Sequence, residues 1–155
     1  MIRQKITTGA ILEIKIENQY YVYAQILNKG HGVAFFDFKI NEKLTDLSVL
    51  ETAKTLFILT VYDNVITNGH WLIVGKLGIR NEFKKLPMKF IQDKLNPKHF
   101  ELYNPDSGKI TKATKEQCIG LERASVWAAN HVEDRIRDHY LGVTNVWLQH
   151  QKIKE

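Results

Sequence analysis

"GAILEIKIENQYYVYAQIL", residues 9–27, decides how the rest of the chain is read. Leu12, Ile14 and Ile16 alternate with Glu13, Lys15 and Glu17. That period of two belongs to a strand with one buried face, because successive side chains of extended backbone point to opposite sides. Glu-Asn-Gln at 17–19 then supplies a tight turn, and "YYVYAQIL" at 20–27 resumes as a second β-rich run. Two glycines in "NKGHG", residues 28–32, break it before "VAFFDFKI" starts a third. Three such runs joined by short loops predict an antiparallel meander.

Downstream, "EKLTDLSVLETAK" at 42–54 changes character: Leu47 and Leu50 stand three apart behind Thr45 and Asp46, which predicts a short capped helix. "TLFILTVYDN" and "HWLIVGKLG" are nearly continuous apolar runs bridged by "VITNG", so they are expected to be the most buried strands of the sheet. The stretch 76–98 carries Pro87 and Pro97 and no clear period, with a helical turn or two expected in "PMKFIQDKL". "HFELYNPDSGKITKATKEQ" returns to β structure around turn chemistry at residues 104–108, where proline presets φ, aspartate bonds its own backbone and glycine takes the left-handed position.

The clearest helix signal is "NHVEDRIRDHYLG" at 130–142. Asn130 and Glu133 have capping-box spacing, Val132, Ile136 and Tyr140 fall four apart on one face, and Gly142 ends the run. Glu133, Asp134, Arg137 and Asp138 form the other face, expected in solvent. The whole predicts an α+β fold: a single domain over 1–155 with its core at about 9–147, a strongly bent antiparallel sheet of six to eight strands, partly barrel-like, and a C-terminal helix packed on it.

Composition narrows the class. A chain of 155 residues suits one core, 44% of it is apolar and 25% charged, and disorder has no compositional support. The lone cysteine, Cys118, can neither close an internal disulfide nor build a Cys-rich zinc site, which suits a reducing compartment. No secretory signal and no bilayer-length apolar stretch stands out, so a cytoplasmic protein is expected, with no membrane association. The net charge of +5 lies wholly in residues 76–98, where seven Lys/Arg meet two Asp/Glu. Lys84, Lys85 and Lys89 are the candidate contacts with an anionic partner there, whether nucleic acid or an acidic protein. The stretch has no aromatic stacking series or Arg-rich face, which weighs against nucleic acid, and a plainly solvated connection is the weightier alternative.

Catalytic signatures are missing. No nucleophile, base and orienting group share a local motif, and no paired carboxylates stand out. Of His31, His70, His99, His131, His139 and His150, only His131 and His139 share a helix, eight residues apart, too far for a two-ligand metal site. "GHG" at 30–32 and "GKLG" at 75–78 match no phosphate loop. No cofactor, metal or enzymatic turnover is therefore expected. His70 and Trp71, in "TNGHWLIVGK", have two readings: a working pair at a strand's mouth, or a turn at Asn68-Gly69 followed by a core tryptophan. Trp127 poses the same choice, and burial of 150–250 Å² per tryptophan favours the core in both cases.

Read together, "TTGAILEIKIENQYYVYAQIL", "NGHWLIVGK", "LPMKF" and "CIGLERASVWAANHVEDRIRDHY" resemble, in order and spacing, the immunity protein 26 family of bacterial polymorphic toxin systems, from about residue 9 to 147. The resemblance implies a protein that binds and neutralises a cognate toxin domain, encoded by a neighbouring gene, and so protects the producing cell. It implies no catalytic residues. The matching positions, Gly69, His70, Trp71, Trp127, His131, Glu133 and Arg135, are either fold determinants or contacts. The basic charge departs from nucleic-acid mimicry, so the expected partner surface is acidic or the contact lies elsewhere. The alternative is a basic nucleic-acid-binding module that uses 76–98.

Overall fold

The computed structural model describes residues 2–28 and 32–155, and the glycine break predicted at 28–32, with His31, lies largely outside them. The meander forms as predicted: β1 (Ala10–Ile16), β2 (Tyr20–Asn28) and β3 (Gly32–Ile40) pair antiparallel in sequence order. The first turn is tight because Glu17 and Asn18 both take positive φ, 52° and 55°, while the Gln19 amide bonds the Ile16 carbonyl at 2.9 Å. Two left-handed central residues give the turn twist that matches paired strands.

Strand β4 (Thr55–Val61) pairs with β3, β5 (Leu72–Lys76) crosses to pair with β1, and the two-residue β10 (Val126–Trp127) returns parallel to β4. The six-stranded order is β10-β4-β3-β2-β1-β5. Register shifts interrupt the β1–β5, β2–β3 and β3–β4 pairings, and such bulges bend a sheet. The bend does not close a barrel, because β5 and β10 do not pair with one another. The strands are also divided: β6 (Lys89–Gln92), β7 (Phe100–Tyr103), β8 (Ile110–Ala113) and β9 (Glu122–Arg123) form a separate sheet in the order β8-β7-β6-β9. The predicted β7–β8 hairpin is present, but the helical turn expected around residues 87–95 is strand β6 instead. Phe90 there packs into a small core with Phe100 and Cys118, and strand pairing overrides a weak local preference.

Both faces of the six-stranded sheet are covered. Leu12, Ile14, Ile16, Val22, Phe35, Leu59, Trp71 and Trp127 fill one side with Val132 and Ile136 of the long helix. Ile11, Tyr23, Leu27, Ala34 and Phe36 fill the other with Leu50, Phe83 and Leu86. Two short 3-10 turns, Leu47–Thr52 and Asn81–Phe83, bring Leu50 and Phe83 there. Asp46 caps the first turn, as predicted, by accepting from the Ser48 amide. The most buried strands are therefore β1–β3. The expectation for residues 55–64 and 70–78 is corrected: β5 is an edge strand with Val74 41% exposed, and β4 alternates between buried and half-buried positions. An apolar run marks burial on both faces only when another layer covers each face.

Helix α1 (Asp63–Thr67) bridges β4 and β5, and α2 (Lys115–Cys118) follows β8. The long helix α3 (Ala129–Leu141) ends on Gly142 at φ 71°, as its sequence predicts, and α4 (Val146–His150) folds back beside it. Its start differs: the cap position is Ala128, with no side-chain bond, because the chain enters extended from β10 and Asn130 is already helical. Its outer face differs too, since Asp138 is buried and Glu133, Asp134 and Arg137 are half-buried. Asp138 accepts from Asn145 Nδ2 at 2.9 Å and pairs with Arg137 at 3.0 Å, which makes its burial tolerable. No helix among the described residues is long and apolar enough to cross a membrane.

Candidate functional site

Chain entry into β5 is fixed by two glycines and one glutamine. At Gly69, φ is 75° and a Cβ would stand 2.9 Å from the Ile2 carbonyl oxygen, so no other residue suits the turn after α1. At Gly75 a Cβ would run into the Leu47 side chain. Gln4 reads the whole segment through its amide: Nε2 donates to the carbonyls of Ile66 and Trp71, both at 2.8 Å, and Oε1 accepts from the Ile73 amide at 2.8 Å. Nothing in the sequence marks Gln4, which sits in a polar N-terminal stretch.

This segment delivers Trp71, 1% exposed, edge-on to Phe35 at 5.6 Å. Its indole Nε1 donates at 2.8 Å to Glu133 Oε2 on α3, and His70 Nε2 lies 3.0 Å from the same oxygen. One carboxylate oxygen thus joins the start of β5 to the first turns of the helix. His70 and Trp71 differ in burial. Trp71 is core with a satisfied N–H, whereas the His70 side chain remains 54% exposed.

Arg135, two residues along the helix, reaches a different layer. Its guanidinium lies 3.9 Å from the Phe57 ring centre and 5.3 Å from that of Trp127, and forms a two-pronged pair with Glu122 at 2.9 Å on each arm. Glu122 belongs to the four-stranded sheet, opposite Lys89 in the β6–β9 pairing. Lys89 in turn donates its Nζ to the Ile58 carbonyl of β4 at 2.9 Å. Lys89 therefore links the two sheets, and Arg135 ties α3 to the four-stranded one. Burial acts to raise the Glu122 pKa, but the bonds and charge of Arg135, together with the charge of Lys89, outweigh it and hold the carboxyl below its ordinary value. Burial pushes the Lys89 ammonium pKa down; Glu122 opposes that shift and Arg135 adds to it.

The other anticipated residues lie apart from this junction. His131 stacks flat on Trp147 of α4, centres 3.7 Å apart, and Trp147 donates to Asp134 at 2.9 Å. His139 instead sits edge-on to Tyr140. Lys84 and Lys85 are exposed and Lys89 is not, so the three basic candidates do not form one surface cluster. Among the described residues no group of three or more His, Cys, Asp or Glu is placed to hold a metal ion.

A cleft of about 360 Å³ opens between the sheets, lined by Ile58, Leu86, Lys89, Tyr103, Arg123 and Trp127 among others. Both of its cations are engaged. Lys89 holds Ile58, and Arg123 donates to the carbonyls of Gln151 and Lys152 and to Gln92 Oε1. Charges satisfied in this way fix a shape and do not present a free nucleophile or base.

A family model described as Immunity protein 26 matches residues 7–101. No curated protein and no solved structure matches the chain. The matched span contains both glycines, His70, Trp71 and the basic stretch, and stops before Trp127, His131, Glu133 and Arg135. It thus takes in the whole meander and the β5 entry, more than half of the sequence, and on that ground the chain belongs to the immunity protein 26 family.

Proposed function

We propose that this protein neutralises a cognate toxin by binding it, and that it acts as a folded surface with no turnover of its own. Family membership over residues 7–101 carries the reading. The geometry agrees with it: Glu133, Glu122, Arg135, Lys89 and Arg123 all have partners within the fold, so the charged groups that could serve chemistry serve architecture. The partner is a toxin domain encoded beside this gene, met in the cytoplasm of the producing cell, and the basic stretch at 76–98 suits an acidic surface on it. Occlusion of the toxin's active site or of its moving parts follows from binding alone.

Co-expression with the neighbouring toxin gene tests the proposal. The expected result is rescued growth and a stoichiometric complex whose interface buries at least about 1,000 Å². Failure to protect, combined with salt-sensitive binding of RNA or DNA by the isolated protein, overturns it in favour of a nucleic-acid module.

A further inference from the structure

The β6–β7 loop, residues 93–99, ends the four-stranded sheet with an unusual side chain. Leu95 is 97% exposed, the most exposed large apolar residue among those described; Leu141 and Ile119 follow at 66% and 64%. Single exposed apolar residues are ordinary on soluble proteins and by themselves mean little. Here the backbone beneath the residue is fixed. Asp93 accepts from the amides of Leu95 at 2.8 Å and Asn96 at 3.2 Å, and Asn96 Oδ1 accepts from the Lys98 amide. Amide-to-carbonyl bonds from Asp93 to His99 and from His99 to Asn96 close the loop, and Gln92 Nε2 holds the Pro97 carbonyl. A leucine held out on a stiff loop loses less conformational freedom on docking than one on a mobile tip, which favours binding.

The charged side chains of the 93–98 tip are Asp93, Lys94 and Lys98, two positive and one negative. Lys94 and Lys98 flank Leu95 and are exposed, and neither forms an ion pair among the described residues. Lys154 is held beside the loop because Gln92 binds its carbonyl at 2.6 Å and its amide at 2.9 Å. Asp93 keeps its negative charge, since the bonds from the Leu95 and Asn96 amides hold its carboxyl below the usual range, so the tip carries one net positive charge. Of the other cations of the basic stretch, Arg80 is occupied by Glu82 and the Leu50 carbonyl and Lys89 by the Ile58 carbonyl, whereas Lys84 and Lys85 are exposed.

Building on the toxin-binding reading, we infer that the 93–98 tip is the docking anchor, with Leu95 entering an apolar pocket on the toxin domain whose rim is acidic and faces Lys94 and Lys98. The apolar side chain supplies dwell time and the lysines raise the rate of encounter, since complementary rim charge acts mainly on association.

The test uses the full-length protein and the purified toxin domain encoded beside its gene, measured by titration calorimetry and stopped-flow. Wild-type, Leu95→Asp and Lys94→Glu/Lys98→Glu proteins are compared, each with its melting curve. The expected result is unchanged melting for both variants. Affinity falls at least tenfold for Leu95→Asp, and the double charge variant associates about tenfold more slowly at low salt, an effect that fades as salt rises. Wild-type affinity in both variants overturns the anchor while leaving toxin neutralisation standing. No binding by the wild-type protein defeats the neutralisation reading and the anchor with it. If Leu95→Asp instead turns a sedimenting dimer into a monomer, the tip is a contact between copies and the inference is wrong.

Discussion

Phe35 and Phe36 are neighbours in β3, lie on opposite faces of the six-stranded sheet, and are each 1% exposed. The four-stranded sheet has one small apolar face built on Phe90, Phe100 and Cys118, and near its other edge it carries Lys89 and Glu122 into the junction with α3 and β4. The first sheet is held by apolar area removed from water on two sides, which is non-directional and large in sum. The second is joined to it by a few charged groups with defined partners. The contrast teaches that one fold can combine a region tolerant of small rearrangement with a region where a single missing partner leaves a buried charge exposed to its full cost.

The strongest way to break the comparison is to remove area from the first region. Trp71→Ala is expected to cost on the order of 3–5 kcal/mol, since it empties a site packed against Phe35 and also strips Glu133 of a donor. Chemical denaturation measures it. An unchanged midpoint combined with lost toxin binding would make Trp71 a contact residue and not a core residue.

Removing one charge from the junction comes next. Arg135→Met leaves Glu122 without its two-pronged partner, and an expected loss of about 2 kcal/mol allows for the partial exposure of that carboxylate. Replacing both residues, Arg135→Met with Glu122→Leu, should restore part of the loss, because no unpaired charge remains. A double variant less stable than the single one would mean that the pair contributes net stability and not mainly specificity. Labelling of the buried Cys118 thiol, which sits in the small core of the second sheet, should accelerate in the single variant if the second sheet opens first.

The two regions should also respond to opposite ends of the pH scale. Glu122 is held below its ordinary pKa, so its contribution is fully present above the usual carboxylate range of about 4.3 and is lost as pH falls through the lower folded value. Acid should therefore loosen the junction, and Glu122→Gln should remove that part of the acid slope. Lys89 does not add to it: its depressed pKa is an unfavourable term that is relieved only as pH rises. Tyr23 belongs to the first region, donates to Glu13 Oε2 at 2.8 Å, and has its pKa pushed up to about 12 by burial first and by Glu13. Its contribution is intact below about pH 10 and is lost as pH rises through about 12, so Tyr23→Phe should flatten the alkaline limb.

The smallest effect is expected at the first hairpin. Asn18→Gly should change stability by no more than a few tenths of a kcal/mol, because both residues accept a φ of 55°, whereas Asn18→Val should cost about 1 kcal/mol through left-handed strain. Equal denaturation midpoints for the two variants would show that the turn tolerates either residue and does not set the register of β1 and β2.

By itself the sequence determined the meander, the Asp46 cap, the turn at 104–108 (with Asn104 making the backbone bonds expected of Asp106, which instead accepts from the Leu86 amide), the extent of the long helix to within two residues, and the glycine at its end. These depend on periodicity and backbone conformation, which each segment carries locally. Only the tertiary structure decided that β5 would be an edge, that residues 89–92 would be a strand, and that a second sheet would form at all. Partners far along the chain supply those pairings, and a segment such as "PMKF" does not encode its partner. The same holds for the junction: Glu133 and Arg135 lie on one helix, yet one reaches back 62 residues to Trp71 and the other turns 13 residues toward Glu122. Spacing along the helix shows only that they are near each other. The partner each one meets, and therefore whether its charge is free for chemistry or committed to shape, depends on how the layers are packed.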